Sequence, residues 1–570
     1  PYDPFRHEEY YKSMAFFNNT RDEDTPGEHP TLRMYEEEDQ KKLNDISVWV
    51  KKYASAEKQV EVNNFLRTLE PKIHAHSCDQ FINGALVDTK FLGIRNGGSV
   101  RLKSTNLDGK TNILFHYWMS KPGGSIELRS DKLNGEIIAS IKLDTTGRKE
   151  RTISVPLEET SGSHDLYFIF RNPKLNPTES VCGVEWMAFR DDLPGKNQPD
   201  FTSIGKKFNF LLNTKVENTP IMVESNSDLF RETKVFERGN WMVKGELVTP
   251  DVPKSLNPLV KNMPRNRLGF AQWLVSKDNP LTGRTVVNQV WEQMFGNGIV
   301  ETMEDFGTQG DLPSHPQLLD YLAVRFTNEQ EWSLKKLIRE LALSATYRQD
   351  SRVSKEVTEM DPSNKWLSHG SRIRLSAEQV RDQALEVSGL LSKKMYGKPV
   401  MPFQPEGVWQ VVYNNDQWVT SEGEDQFRRG VYTFQKRTSP YPSMISFDGS
   451  SREVCTIRRL RTNTPLQALV TLNDPVYMDA ARALASKMIA AGGTAEGRIS
   501  AGYKKAVFHS INDRKLKALA TLYTEAFDLY KLDQKATQQI LLTENAQPEL
   551  AAMTIVANAI LNLDEFLTKE

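Results

Sequence analysis

The sequence has 570 residues, 38% hydrophobic and 26% charged, with a formal net charge of -1 and a pI near 6.9. At roughly 150 residues per domain, that length suggests three or four folded units with cores of their own. So balanced a charge gives no global positive field, and no apolar run approaches the roughly 18 residues of a membrane span, so neither a nucleic-acid partner nor a span in this chain is expected. Cys78, Cys182 and Cys455 are the only cysteines and no CxxC occurs, which excludes a c-type haem attachment motif and a cysteine-rich zinc site here. The chain opens at Pro1 without a methionine or a signal-peptide pattern, so a processed or truncated product is expected.

In chain order, residues 1–34 read as polar and irregular, with turn-rich PYDPF and NNTRDEDTPGEHP. From about Glu36 to Leu69 the pattern is helical: Leu43, Ile46, Val50 and Tyr53 form one stripe, and the acidic run Glu36–Asp39 suits a helix N-terminus. Residues 73–192 switch to period two in SIELRSD, TISVPL, DLYFIF and VEWMAF, with NGG, KPGG, KLNGE and TTGR read as the separating turns. An antiparallel sandwich of about 120 residues is predicted there. Residues 195–262 read as a β-rich connecting segment of short strands and loops.

From Arg265 onward the chain is mainly helical, in a C-terminal domain assigned to 263–570. Ser376–Gln379 and Thr464–Gln467 both read as capping boxes, and Asn473-Asp474-Pro475 ends one helix and starts the next. Residues 396–455, rich in Gly, Pro and aromatics, read as a long irregular insertion, a kind of loop that is often functional. The predicted fold class is multidomain: an all-β jelly-roll sandwich plus a large mainly α-helical domain with that insertion.

The stretch MEDFGTQGDLPSHPQLL, residues 303–319, contains Asp305-Phe306-Gly307, a triplet that protein kinases use for metal. The glycine-rich loop, strand lysine and HRD that a kinase requires are all missing from this sequence, so that reading is rejected. Ser314 as N-cap with Gln317 at N3, followed by an apolar face of Leu318, Leu319, Leu322, Ala323 and Phe326, makes the stretch a helix entry instead. His315 is read first as a turn residue, with an acid–base or ligand role kept as a candidate.

Three longer resemblances are carried by specific motifs. RNRLGFAQWLVSKDNPLTGRTVVNQVWEQMFGNGIVETMEDFG, PSHPQLLDYLA, TPLQALVTLNDP and ELAAMTIVANAILNLDEFL resemble the C-terminal domain of unknown function of planctomycete-type cytochrome C proteins, which also occur in Bacteroidota. YDPFRHEEYYKSMAFFNNTRDEDTPGEHPTLR resembles the tail of its companion domain, with residues 1–70 assigned to that tail and a helix. The resemblance implies a larger secreted or periplasmic parent, with haem c in a part preceding this sequence and none within it. GGSIELRSD, NGEIIASIKLDTTGR, GSHDLYFIF and VEWMAF resemble family 6 carbohydrate-binding modules, which implies a jelly roll over 73–192 that stacks sugars on loop aromatics.

Departures from that family weaken the sugar site. His74-Ala75-His76 stands where an acidic segment helps hold calcium; the pair offers a softer-metal alternative, but simple loss of calcium is preferred and no metal site is expected. Val100, Arg148 with Lys149, and Gly183 replace three expected sugar contacts, leaving Tyr117 and Trp118 as spare aromatics and weak carbohydrate-binding candidates. By the resemblance, Cys78 and Cys182 lie on neighbouring strands, where a disulfide and two buried thiols are both open.

The densest chemistry lies in FDGSSREVCTIRRLRTNTP, residues 447–465, with Asp448, Arg452, Arg458, Arg459 and Arg461. Arginines beside a helix start can hold a carboxylate, sulfate or phosphate. The opposing reading is arginines pairing with acids to stitch a long loop onto helices. Candidate catalytic residues are Asp448, Arg452, Arg458, Arg459, His315 and Asp305. Three functions stand open. The leading one is a polysaccharide-associated component of a cytochrome-type redox protein, contacting glycan through the jelly roll, in the periplasm, at the outer membrane or outside the cell. The others are an enzyme acting on an anionic glycan through loop 447–465, and a structural component of a bacterial surface complex with protein partners.

Overall fold

The structure is a computed structural model that describes residues 3–21, 29–88, 91–147, 149–225, 230–409 and 417–569. Arg148, named above as a departure from the sugar site, lies outside them. The chain forms two compact units, one of His7–Pro253 with Leu259–Phe270, the other of Ala271–Glu570 with Pro1–Arg6 and Lys254–Pro258.

The first unit opens with α1 (His7–Ala15), β1 (Thr31–Met34), α2 (Glu37–Tyr53) and α3 (Ala56–Thr68). The N-terminal stretch read as irregular thus contains a helix and a strand. The single helical span read over 36–69 is broken at Ser55, whose hydroxyl accepts from Lys58 N at 3.2 Å and caps α3. In α2, Glu37, Glu38 and Asp39 occupy the first turn and Lys51 and Lys52 the last, both favourable to the helix dipole.

The sandwich follows as β2 (Ile73–His74), β3 (Cys78–Val87), β4 (Phe91–Asn106), β5 (Asn112–Trp118), β6 (Gly124–Ser130), β7 (Ile137–Leu143), β8 (Arg151–Pro156), β9 (Ser163–Arg171) and β10 (Ser180–Arg190). The strands run in the antiparallel order β7-β6-β9-β4-β10-β5-β8, with β3 also on β4 and β2 on β10. Strand β4 links the two layers. Its first part pairs with β10 (Gly93 with Gly183) and its later part with β9 (Leu102 with Leu166). Between them Asn96-Gly97-Gly98 bends the strand, with φ of 77° at Gly97. A Cβ at Gly98 would lie 2.7 Å from Ile82 O, so the close approach of β3 requires glycine. The NGG read as a turn between strands is therefore a bend inside one.

Phe115, Ile126, Leu128, Phe168, Phe170, Val184 and Met187 fill the sandwich, each burial worth about 1.5–3 kcal/mol. The opposite face of β5 and β10 is buried as well. Leu114, Trp186 and Ala188 pack with Leu43, Ile46 and Val50 of α2, Phe65 of α3, and Ile204 and Leu211 of α4 (Phe201–Asn213). Helix α4 falls in the segment read as strands and loops. Its apolar residues Phe201, Ile204, Phe208, Leu211 and Leu212 recur at helical spacing along one face. Strands β11 (Glu217–Pro220), β12 (Thr233–Phe236) and β13 (Lys244–Val248) complete the unit, β11 pairing with β1 and β12 with β13.

From Arg267 the chain is mainly helical. In order come α5 (Arg267–Leu274), α6 (Thr282–Phe295), α7 (Pro316–Val324), α8 (Leu334–Leu343), α9 (Lys355–Met360), the two-residue β14 (Ile373–Arg374), α10 (Ala377–Ser388) and α11 (Pro442–Ser446). Then follow α12 (Pro465–Asn473), α13 (Pro475–Ala490), α14 (Ala495–Val507), α15 (Asp513–Leu532), α16 (Gln534–Leu541), α17 (Pro548–Leu561), α18 (Asp564–Leu567) and β15 (Thr568–Lys569). Helix α17 is apolar on nearly every side and is packed by α13 and α15, the position such a sequence demands. A separate core joins α6, α7 and α8 through Trp291, Phe295, Leu319, Leu322, Phe326 and Leu337.

Two expected caps differ. His315, not Ser314, is the N-cap of α7, because the Ser314 hydroxyl is turned to Ile299 O at 3.2 Å. Thr464 caps α12 without a side-chain bond, since Gln467 points away to Arg374 and Thr462. The box at Ser376 and Gln379 forms as expected, and Asp474 caps α13 by accepting from Val476 N.

Candidate functional site

In the helical unit, the arginine-rich loop borders a cleft of about 460 Å³. Its walls include Arg374 of β14, Glu378 of α10, and Asp448, Arg452, Arg459 and Arg461 of the loop. Strand β14 is held by antiparallel pairing with β15, Arg374 opposite Thr568. Asp448 anchors the loop at its start, accepting from Thr462 N at 2.8 Å and from Thr462 Oγ1 at 2.9 Å. Gln467 joins the same node, donating to Asp448 at 3.4 Å and accepting from Arg374 Nε at 3.0 Å. Both Asp448 and Arg452 sit in the left-handed backbone region, with φ of 59° and 61°. Each costs about 1–3 kcal/mol, a kind of strain that clusters at ligand clamps.

The loop's arginines divide into two kinds. Arg459 donates to both oxygens of Glu378 at 2.8 and 3.0 Å. Burial alone would raise the Glu378 carboxyl, but the Arg459 guanidinium and the helix-start N–H hold it below its ordinary pKa. Arg461 lies 3.3 Å from Glu292 of α6, whose carboxyl burial pushes up against the pull of that arginine. Arg458 lies 3.4 Å from Glu304, both half exposed. Arg452 is exposed on the cleft wall and, among the described residues, its guanidinium has no carboxylate partner.

The insertion that carries the cleft's outer wall is itself stitched by a buried arginine. Arg428 donates to the carbonyls of Tyr396 and Lys398 at 2.6 and 3.1 Å and lies 3.7 Å from the centre of the Tyr432 ring. That cation is structural.

His315 and Asp305 do not line this cleft. The His315 ring meets Trp366 edge-on at 5.8 Å, and its Nδ1 is 3.0 Å from Ser314 Oγ. It borders a separate cavity of about 20 Å³, room for little more than one water. Asp305 accepts from Gly307 N at 2.7 Å, which shapes the turn before α7. Cys455 is exposed beside the arginines as a free thiol.

In the sandwich, Tyr117 is wholly buried, its hydroxyl donating to Asp144 O at 3.1 Å, so it offers no ring face to a sugar. Trp118 is half-buried, edge-on to Phe91 at 4.7 Å. Its indole fills the space over Gly183, where a Cβ would lie 2.2 Å from Trp118 Cζ2. Cys78 and Cys182 are both buried free thiols, Cys78 pushed up to about 12 by burial and Cys182 also raised by burial.

The His74 and His76 rings stack at 5.8 Å. Burial and the nearby Lys72 and Arg21 cations drive the His74 pKa strongly down, a setting that repels a metal cation. Arg21 is committed to Glu70 at 2.5 Å, both nearly enclosed. Lys72 is fully buried, its ammonium 5.4 Å from the Trp186 ring centre. His116 stacks flat on the same indole at 4.9 Å, and burial, with Lys72 and His29, lowers its pKa to about 3. Sequence reading passed over His116, Glu185 and Lys72. The available signal was that His116 shares the strand face of Leu114 and opposes the face of Phe115 and Tyr117.

Residues 266–523 match the family described as PSD1, Protein of unknown function (DUF1553). Among solved structures the chain is similar to a β-1,3-glucan binding family 6 module from Bacillus halodurans, at 22% identity over 21% of this chain and 94% of that one, with a TM-score of 0.19. It is similar to a family 6 carbohydrate-binding module from Clostridium cellulolyticum in complex with xylose, at 19% identity over 21% and 96%, TM-score 0.19. A third, from Clostridium stercorarium in complex with cellobiose, shares 22% identity over 21% and 93%, TM-score 0.19.

Proposed function

We propose that the chain binds an acidic glycan, uronic or sulfated, in the arginine-lined cleft of its helical unit. The guanidinium of Arg452 carries this proposal: it is the loop arginine without a carboxylate partner among the described residues, and it faces a cleft of about 460 Å³. A guanidinium holds a carboxylate or sulfate by paired N–H donors, and each such charged bond contributes about 1.5–3 kcal/mol. Ser376, Gln379 and Thr456 supply neutral polar groups on the same walls, suited to sugar hydroxyls. Binding is favoured over turnover, because Asp448 is engaged by Thr462 and Gln467 and Glu378 by Arg459, leaving neither carboxylate poised as an acid or base.

The proposed setting is the one implied by the sequence resemblance: the polysaccharide-associated part of a secreted bacterial cytochrome-type protein, with haem elsewhere in a longer parent and protein partners at the cell surface. A second reading places neutral glycan on the sandwich at the half-buried Phe91–Trp118 pair beside the KPGG turn.

Glycan-array binding separates the two. Preference for uronic and sulfated chains, weakened by salt, is expected for the cleft. Neutral glucan binding that disappears in Trp118→Ala and persists in Arg452→Ala would replace the proposal with the second reading. Point variants are the right tool, since deleting 73–192 would strip Leu114, Trp186 and Ala188 from the core they share with α2, α3 and α4.

A further inference from the structure

A second group of chemistry-bearing side chains lies in the sandwich unit, apart from the arginine cleft. His116 of β5, Glu185 of β10 and Glu150, just before β8, each offer one ligand atom, and these atoms lie within 4.8 Å of one another. His116 Nε2 is 3.6 Å from Glu185 Oε2 and 3.9 Å from Glu150 Oε2.

The imidazole is fixed on two sides. Its plane lies 5° from that of Trp186, and its Nδ1 is 2.9 Å from Thr152 Oγ1. Thr152 is itself held, its N–H donating to Asn213 Oδ1 at 2.8 Å and its carbonyl accepting from Asn213 Nδ2 at 3.0 Å. With the Nδ1 proton given to the threonine hydroxyl, the Nε2 lone pair faces two carboxylate oxygens. Three acceptors then converge, and a divalent cation satisfies all of them at once. A ligating histidine oriented through its other nitrogen is the usual outer-shell arrangement of metal sites.

We infer that His116, Glu150 and Glu185 form a binding site for a divalent first-row transition ion, Zn²⁺ or Mn²⁺. Bonds of about 2.05 Å to a tetrahedral ion place ligand atoms roughly 3.3 Å apart. The 3.6 Å and 3.9 Å separations from His116 are close to that spacing, and the two carboxylates, within 4.8 Å of each other, close the rest through rotation of the exposed Glu150 side chain. The imidazole nitrogen selects against Mg²⁺ and Ca²⁺, which prefer all-oxygen sets. Two carboxylates outweigh the one ammonium nearby, Lys72, which acts on both His116 and Glu185. Glu150 is largely exposed, so the remaining coordination positions open to water. The bound ion would tie the connection before β8 to the central strand β10. The His74 and His76 pair offers no equivalent, since Arg21 and Lys72 surround it.

The test is titration of the full chain, stripped with a chelator, with Zn²⁺ and separately with Mn²⁺, read by calorimetry and by the thermal midpoint. One equivalent of at least one ion should bind and raise the midpoint. Glu150→Gln, at an exposed position that leaves folding intact, should weaken binding at least tenfold. Thr152→Val should weaken it about tenfold through the orientation of His116. His76→Gln should leave affinity unchanged. Absence of saturable binding by either ion, affinity unaltered in Glu150→Gln, or loss in His76→Gln would each overturn the site.

Discussion

The sandwich unit and the arginine cleft treat positive charge in opposite ways. In the sandwich unit Arg21 is enclosed and paired with Glu70, and Lys72 is buried against Trp186. In the arginine loop, Arg459 and Arg461 are tied to Glu378 and Glu292 below the surface, Arg458 to Glu304 at the surface, and Arg452 stands in solvent without an acid among the described residues. Enclosed pairs are costly to break and do nothing at the surface. An exposed, unpaired guanidinium costs the fold little and is available to a ligand. A cluster of arginines is thus not one feature: the partner of each decides whether it holds the chain together or meets something else.

Substitutions in the two regions should therefore differ steeply. Arg21→Met leaves Glu70 enclosed without its cation and should cost about 3–5 kcal/mol in urea unfolding. A loss under 1 kcal/mol would show that Glu70 is compensated in another way. Arg461→Ala should cost about 1–3 kcal/mol, because Glu292 is nearly buried. Arg452→Ala should change stability by less than about 0.5 kcal/mol, since its side chain is exposed and has no carboxylate partner among the described residues. If it unfolds the unit, the cleft arginine is structural after all.

A further difference is read in pH. Lys569 of β15 is half-buried, its ammonium donating to Met294 O and lying 3.8 Å from the Tyr347 ring centre. Burial lowers its pKa from 10.5 to about 8, so between those values the unfolded chain holds more protons than the folded one. Stability should rise as pH increases from about 8 toward 10.5, and Lys569→Met should remove that slope from thermal midpoints measured across the range.

Much of the fold was legible because periodicity reports burial directly. SIELRSD, DLYFIF and VEWMAF became β6, β9 and β10, and the face of Leu319, Leu322 and Phe326 became the buried side of α7 and of the helical turn that follows it. The errors arose where tertiary contacts override local signals. NGG bends a strand that stays paired with β3 and packs closely on Ile82, and Ser314 gives up capping to reach Ile299 O. Helix α4 keeps helical spacing, but the TP, RGN and DVP turn signals that follow it make the whole of 195–262 read as short strands and loops. For the site, the arginine cluster was visible in the sequence, but its sorting was not. Glu292, Glu304 and Glu378 lie on elements far upstream, and only folding shows which arginine each one takes. His116 and Glu185 were hidden for the same reason: cross-strand neighbours carry no local sequence signature.

The central claim is that the unpaired guanidinium, rather than the cluster, binds the ligand. It is tested most directly by calorimetric titration of the full chain with a uronic-acid oligosaccharide, comparing the unaltered protein with Arg452→Glu and with Arg458→Glu. Binding should be saturable, falling at least tenfold in Arg452→Glu and by less than threefold in Arg458→Glu. Equal losses in both variants, or binding that survives Arg452→Glu, would contradict it.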